Sequence, residues 1–279
     1  MKARITALSL ALLSSYASAD LQELGDDVLS VEVGQAFINL DSFIDPVDTN
    51  TRFSRLSFGE DIKLNLNADE VTFNNNGTVA DIALNNFALG HIDTSTGTFV
   101  PFEITNPFFE WAIQDDGTGK QNLVGFRLGF GQAKGSLSAD ITNLSGNIDI
   151  SFTDGTNTYV GDLLDASGTT TTRQANQLGI SGNSCAQLSG NETCYNLANF
   201  KSFSIADSDG TSTADFFLSV QNKDFTWKWG SGASVSSSYD TTKGFFINMP
   251  TDMTINMGDS TTGTTRLPTE FIDRGIGRW

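Results

Sequence analysis

Residues 124–130 decide the fold class of this 279-residue chain, and they read Val124-Gly125-Phe126-Arg127-Leu128-Gly129-Phe130. Apolar side chains occupy every second position, which is the period of a β-strand with one buried face. The same period recurs at 62–66 (Ile-Lys-Leu-Asn-Leu) and at 148–152 (Ile-Asp-Ile-Ser-Phe). We therefore expect strands whose apolar positions face a core and whose polar positions face water.

The segments between these strands carry turn signals rich in Asn, Asp and Gly, residues that accept the positive φ of tight turns. They lie at 74–77, 95–97, 115–119, 154–155 and 207–210. From 53 to 257 no stretch keeps a helical apolar spacing for three turns. The sequence predicts an all-β protein, built as a large antiparallel β-sandwich or as an elongated stacked sheet.

The amino terminus is typical of a secretory signal peptide, predicted over residues 1–19. Lys2 and Arg4 precede an apolar stretch, and Ala17-Ser18-Ala19 offers a small-residue cleavage site. Beyond it, Leu21, Leu24 and Val28 follow a helical spacing that predicts a short helix before the first strand. We expect an exported protein that ends at the outer-membrane surface or outside the cell, with the periplasm as an alternative.

The predicted mature chain divides into three parts: an N-terminal β region (20–163), a polar connection (164–198), and a C-terminal β region (199–279) packed on the same body. The connection holds both cysteines, Cys185 and Cys194, in polar, turn-rich sequence. Disulfides persist in exported proteins, so we expect a Cys185–Cys194 disulfide, with a catalytic thiol as the competing interpretation.

The charge balance excludes several classes of function. Sixteen Lys and Arg face 33 Asp and Glu, a net charge of -17, which opposes binding to nucleic acid. One His and two Cys are too few for a usual zinc site, so we expect no cofactor apart from a weakly indicated calcium ion. No apolar run reaches the length of a membrane-spanning helix. Without a G-x-S-x-G motif we expect no enzyme, and an acidic hydrolase is the least favoured alternative.

The calcium hypothesis rests on Asp207, Asp209 and Asp215, whose oxygens suit a hard cation. The segment lacks the further ligands of an EF-hand loop, and an ordinary Asp-Gly turn is the competing interpretation.

Two aromatic segments are candidate contact sites for a partner or ligand. Phe225, Trp227 and Trp229 share one face of a predicted strand, where they either stack on a ligand or form core.

The other segment carries Phe108 on one strand face and Phe109 and Trp111 on the opposite face. Apolar groups on both faces indicate a strand that is buried on two sides or that contacts a partner.

Three parts of the chain resemble a known group of proteins. Residues 29–38, Leu-Ser-Val-Glu-Val-Gly-Gln-Ala-Phe-Ile, resemble the "LSxVTGQxGI" segment that follows the signal peptide in exported β-rich proteins of Gram-negative bacteria, including pilus-system proteins of the Fil type. The segments 106–110, 124–131 and 144–148 look like the central β region of such proteins, and 268–274 is similar to their closing segment. The resemblance implies an exported surface or pilus-associated protein and brings no catalytic residue with it.

We therefore expect a secreted or cell-surface protein with a structural or adhesive role, which contacts a protein partner or a second copy through edge strands or apolar faces. The alternative is a β module of the periplasm or outer membrane that binds an apolar ligand, a lipid or a glycan.

Overall fold

The computed structural model describes residues 38–74, 79–183, 185–188, 190–258 and 263–269. The predicted signal peptide, the short helix predicted after it and most of the closing segment lie outside the described residues. No helix in the described ranges is both long and apolar enough to cross a membrane.

The described chain is built from β-strands, with a single 3-10 turn at Leu197–Asn199, so the all-β prediction is confirmed. The strands are β1 (Ile38–Ile44), β2 (Thr51–Phe58), β3 (Asp61–Leu64), β4 (Leu66–Phe73), β5 (Ile82–Leu89), β6 (His91–Ile92), β7 (Phe99–Val100), β8 (Phe102–Asp115), β9 (Gln121–Leu144), β10 (Gly146–Thr153), β11 (Thr158–Leu164), β12 (Gln177–Ile180), β13 (Cys194–Asn196), β14 (Ser202–Ile205), β15 (Phe217–Gln221), β16 (Phe225–Ser231), β17 (Ser234–Thr241) and β18 (Gly244–Asn256).

Fourteen of these strands form one sheet, and the 24-residue strand β9 is its spine. The first half of β9 pairs with β8 on one edge and with β15 on the other, and the second half pairs with β5 and β14. Gly135 lies where the partners change. Its φ is +145°, and an added Cβ would lie 2.9 Å from the Cα of Phe102. A side chain at this point would therefore clash with the backbone of β8.

One pairing departs from the predicted antiparallel arrangement. Strand β18 pairs antiparallel with β15 but parallel with β10, in a register that joins Gly146 to Ile247. Strands β11, β12 and β13 then extend the sheet antiparallel from β10. The last long strand is thus inserted beside β10 of the predicted N-terminal β region, and the two predicted β regions share one sheet.

Two clusters of buried side chains hold this sheet. The larger one follows the second half of β9 and includes Ile141, Phe152 and Phe203. The predicted strand at 148–152 belongs to it, since its apolar positions are buried. The smaller cluster lies where the hairpin β16–β17 packs on β1, β2, β8 and β9, around Phe53 and Trp227.

The predicted disulfide is present: Cys185 and Cys194 are joined with their Cα atoms 5.0 Å apart. Gly168 packs against this bond, because a Cβ built there would lie 2.2 Å from the Sγ of Cys185. Its φ of +78° also favours glycine.

Candidate interaction surface

The strand that decides the fold class has its faces reversed at its centre relative to the sequence prediction. Arg127, expected to face water, is only 2% exposed, whereas Phe126, expected in the core, is 39% exposed. The adjacent glycines make this possible, since Gly125 lies against Trp227 and Gly129 against Phe108 at distances that leave no room for a side chain. At the centre of the strand Phe126 and Leu128 therefore point out of the molecule, whereas Val124 is 3% exposed and belongs to the smaller cluster, and Phe130 packs against the larger one.

Neighbouring strands continue this reversed face. The register aligns Leu40 of β1 with Leu56 of β2, then Phe109 of β8 and Leu128 of β9, in one row across four strands. We call the apolar side chains on this side of the four strands the outer face. Its members are Ile38, Leu40, Ile44, Leu56, Phe58, Phe109, Trp111, Ile113, Leu123, Phe126 and Leu128.

The outer face is apolar, aromatic at its centre and nearly free of charge. The ring of Phe109 stacks on Phe126 at 5.6 Å and meets the edge of Phe58 at 6.0 Å. In the aligned rows the one charged residue is Arg52. Four strands about 4.8 Å apart and seven residues of about 3.4 Å each give a footprint of about 450 Å². That is the size of the largest apolar patches on monomeric proteins, which are often functional.

Strand β1 is the edge of the sheet on this side. In the described part of the chain it pairs only with β2, and all of its residues except Phe43 are exposed. Leu40 is 65% exposed and Ile38 52% exposed. A strand edge with unpaired backbone groups is a template for adding another strand. The outer face therefore runs without interruption to an edge that can be extended.

The opposite, inner side of β2, β8 and β9 carries a buried ion cluster. Glu110 is fully buried and accepts from Arg55 Nε at 2.7 Å through Oε2 and from Arg127 Nη2 at 2.7 Å through Oε1. Burial lowers the pKa of the Arg55 guanidinium, and the charge of Glu110 opposes that shift. The two arginines thus share one carboxylate.

The aromatic residues of β8 that were predicted to contact a partner or ligand lie on both sides of the sheet. Phe109 and Trp111 lie on the outer face. Phe108 is buried beside the ion cluster, where Arg55 lies 3.9 Å from its ring centre.

The predicted row on β16 faces the inner side and is largely core. Trp227 is fully buried and packs at 6.1 Å from Phe53, and Phe225 packs on the same ring at 5.8 Å. The interpretation of Trp227 as a ligand contact is therefore wrong, because the hairpin uses it to fill the smaller core. Trp229 is half-buried and lies 3.8 Å from the Arg55 guanidinium.

The carboxylates of the calcium hypothesis do not assemble into a site. Asp209 accepts two hydrogen bonds from Thr211, and the hydroxyl of Tyr239 donates to Asp215. The segment 207–210 is a turn closed by the N–H of Gly210 on the carbonyl of Asp207. Across the described ranges, no three His, Cys, Asp or Glu side chains come together as a metal site.

Sequence reasoning missed the ion cluster. Arg127 occupies a position that the alternation assigns to solvent, Arg55 lies in a segment without a clear alternation, and Glu110 lies between aromatic residues on a strand with apolar groups on both faces. One signal was available: a glycine two positions before and another two positions after an arginine, in an otherwise apolar strand, mark a place where another layer approaches the backbone closely.

Comparisons with protein-family models, curated proteins and solved structures found no match to this chain.

Proposed function

We propose that the protein is exported to the cell surface, that its role is structural or adhesive, and that it acts by associating with other copies of itself. The observation that carries this proposal is the outer face, an apolar sheet surface that runs to the edge strand β1. Apolar surfaces of this size commonly mark interaction sites. The resemblance to exported, pilus-associated proteins supports the same function.

The small area of the outer face indicates that it acts together with the edge strand β1. A standard protein interface buries about 800 Å² on each partner, and the outer face supplies only about half of that. Strand addition at β1 continues the backbone hydrogen bonds of the sheet into the second chain, so that the outer faces of the two copies join side by side into one surface of about twice the area, which packs on the same surface of another pair. Side chains on alternate positions then join the outer face on both sides of the new pair.

The charges in the rows of the outer face do not oppose a second copy on this surface. The chain carries a net charge of -17, yet Arg52 is the one charged residue in the rows of the outer face. An antiparallel β1–β1 pair centred on Leu40 places Asn39 opposite Asp41 of the second copy, so no two carboxylates oppose each other. Salt screens the remaining repulsion between the acidic bodies, so association strengthens as salt rises.

Sedimentation velocity on the chain from Asp20 onward, in about 0.3 M NaCl, tests the proposal. The native chain associates as its concentration rises. The double variant F109S/F126S associates about 50-fold or more weakly. Phe109 is 37% and Phe126 39% exposed, so burying the exposed part of each ring contributes about 0.6–1.2 kcal/mol, and two facing copies lose four rings. The matched control is Val160→Ser on β11, which removes an apolar side chain that is 68% exposed but lies off the outer face. This control associates like the native chain.

Three outcomes contradict the proposal. One is a native chain that stays monomeric at about 1 mM. Another is a double variant that associates as strongly as the native chain. The third is flotation of the native chain with phosphatidylcholine vesicles, lost in F109S/F126S and without self-association, which favours the alternative of a lipid-binding β module.

A further inference from the structure

A cleft of about 750 Å³ opens between the inner side of the sheet and the hairpin β16–β17. Its sheet wall carries Arg55, Ser57 and Asn106, and its hairpin wall carries Trp229 and Tyr239. The volume lies within the range of about 300–1,000 Å³ that small-molecule binding sites span. The cleft is therefore large enough to hold a ligand, and its lining decides which kind.

The charges around this cleft cancel. Among the described residues, the charged side chains that line it are Arg55, Arg127 and Asp215. Glu110 is fully buried, and its carboxylate accepts hydrogen bonds from both arginines. Burial raises the pKa of Tyr239 above its usual value, so its phenol is uncharged and donates to Asp215. Two guanidiniums are thus balanced by two carboxylates, and neither an anion nor a cation finds a net counter-charge here.

The lining offers hydrogen-bond donors and acceptors together. The Asp215 carboxylate only accepts, the Arg55 guanidinium only donates, and the Asn106 amide does both. Asp215 and Asn106 are exposed, and Ser57 and the serines at 236–238 add hydroxyl groups to the two walls. A carboxylate ligand only accepts and an ammonium ligand only donates, whereas a hydroxyl group does both. The mixed lining therefore fits a ligand with many hydroxyl groups.

Aromatic rings supply the apolar part of the lining. Phe130, Trp229 and Tyr239 line the cleft, and each is half-buried. Phe130 stacks on Phe216 at 5.6 Å, and the Arg55 guanidinium lies 3.8 Å from the Trp229 ring. Rings that are already packed in this way lose little freedom when a ligand binds. A sugar ring has C–H groups on its faces and hydroxyls at its edge, so it contacts aromatic and polar groups at once.

We propose that this cleft binds a neutral saccharide, a short chain of uncharged sugar rings. The sugar hydroxyls donate to Asp215 and accept from Arg55 and Asn106. The faces of the sugar rings contact Phe130 and Trp229. A charged sugar loses the hydration of its ionic group without a net counter-charge to replace it, and an apolar ligand leaves the polar lining unsatisfied.

Isothermal titration calorimetry on the chain from Asp20 onward, at about pH 6 and about 0.15 M NaCl, tests the charge of the ligand. The neutral probes are maltotriose, cellotriose and triacetylchitotriose. The charged probes are trigalacturonate, which is anionic, and chitotriose, which is cationic. At least one neutral trisaccharide is expected to bind at least about tenfold more tightly than either charged one.

Asp215→Asn tests the acceptor without changing the shape of the cleft. The amide oxygen still accepts from Tyr239, but the charged acceptor for the sugar hydroxyls is lost, and hydrogen bonds to charged groups are the stronger ones. We expect D215N to bind the tightest neutral trisaccharide at least about fivefold more weakly. The control D69N makes the same change at an exposed position of β4 and should stay within about twofold.

Ser57→Trp tests the cleft itself, because a bulky side chain on the sheet wall occupies the space of the ligand. In a variant whose circular dichroism matches that of the native chain, binding should weaken at least about tenfold. Ser234→Trp is the control, since Ser234 is an exposed position of β17 outside the lining, and it should bind like the native chain.

The proposal is overturned if none of the neutral trisaccharides binds at about 10 mM, or if trigalacturonate or chitotriose binds as tightly as the best of them. It is also overturned if D215N and D69N bind that trisaccharide alike, or if a folded S57W binds it like the native chain. None of these outcomes depends on self-association, so this site and the outer face are tested separately.

Discussion

Glu110 is the residue on which the packing of the inner side depends most. It holds two guanidiniums, its side chain is fully buried, and Arg127 is 2% exposed. Removing one partner of a buried ion cluster leaves the others charged and unpaired inside the protein. Breaking the cluster therefore destabilises the folded protein, whether or not the intact cluster adds to its stability.

The variant Glu110→Ala is expected to lower the free energy of unfolding by about 3–5 kcal/mol. Urea unfolding, followed by tryptophan fluorescence, measures the loss. Asp140→Ala is the control, because it breaks an ion pair with Lys201 whose side chains are 30% and 41% exposed, and such pairs contribute about 1 kcal/mol or less. Equal losses in the two variants would show that the Glu110 cluster is not buried as described.

At the scale of elements, β9 and its neighbouring strands show which structural features the sequence alone predicts. Period-two alternation predicted the strand at 124–130, because alternation depends only on the local geometry of extended chain. It did not predict which face is inside, since that depends on what packs there. The hairpin β16–β17 packs on the glycine and arginine side, and Trp227 fills the space that Gly125 leaves.

Other elements were predictable for a local reason. Asp and Gly at 207–210 form the expected turn, and the two cysteines pair as their polar surroundings and the predicted export indicated. The parallel pairing of β10 with β18 was not predictable, because it joins residues about 100 positions apart and leaves no periodic mark on either strand. The ion cluster was missed for the same reason: its members come from three strands.

At the scale of the whole molecule, acid is expected to destabilise the fold through carboxylates that are hydrogen-bonded in the native state. Hydrogen bonding from Thr51 is the largest influence on Asp48 and lowers its pKa below the ordinary 3.8. Burial alone would raise the pKa of Asp45, but hydrogen bonds from Lys228 and the backbone outweigh it, so this pKa is also lowered. Groups with a lowered native pKa contribute stability above pH 3.8, and they lose it as pH falls through the native value.

Asp48→Asn tests this dependence. At about pH 7 the variant should be about 1–2 kcal/mol less stable than the native chain, because weaker hydrogen bonds replace charge-assisted ones. As pH falls below 3.8 and through the lowered native pKa of Asp48, the difference should shrink, since Asp48 itself becomes protonated. Urea titrations in about 0.3 M NaCl, which screens the net negative charge, measure both differences. A difference that stays constant or grows in acid would contradict the assignment.

At the scale of the whole molecule, we propose that the acidic protein keeps its outer face free of negative charge, so that copies of it can meet there. The outer face and β1 form a single surface, and the inner side of the sheet carries the ion cluster. Association through the outer face therefore leaves the inner side open to solvent.

A cysteine at Leu40 tests that claim most directly, since both native cysteines are already paired with each other. In a β1–β1 pair centred on this residue, the Cβ atoms of the two new cysteines lie about 5 Å apart, close enough for a disulfide to form. Under mild oxidation of the chain from Asp20 onward, L40C is expected to run mainly as a covalent dimer on a non-reducing gel. V160C, at an exposed position of β11, is expected to stay mainly monomeric. If the two variants give equal fractions of dimer, β1 is not the edge through which the molecule associates.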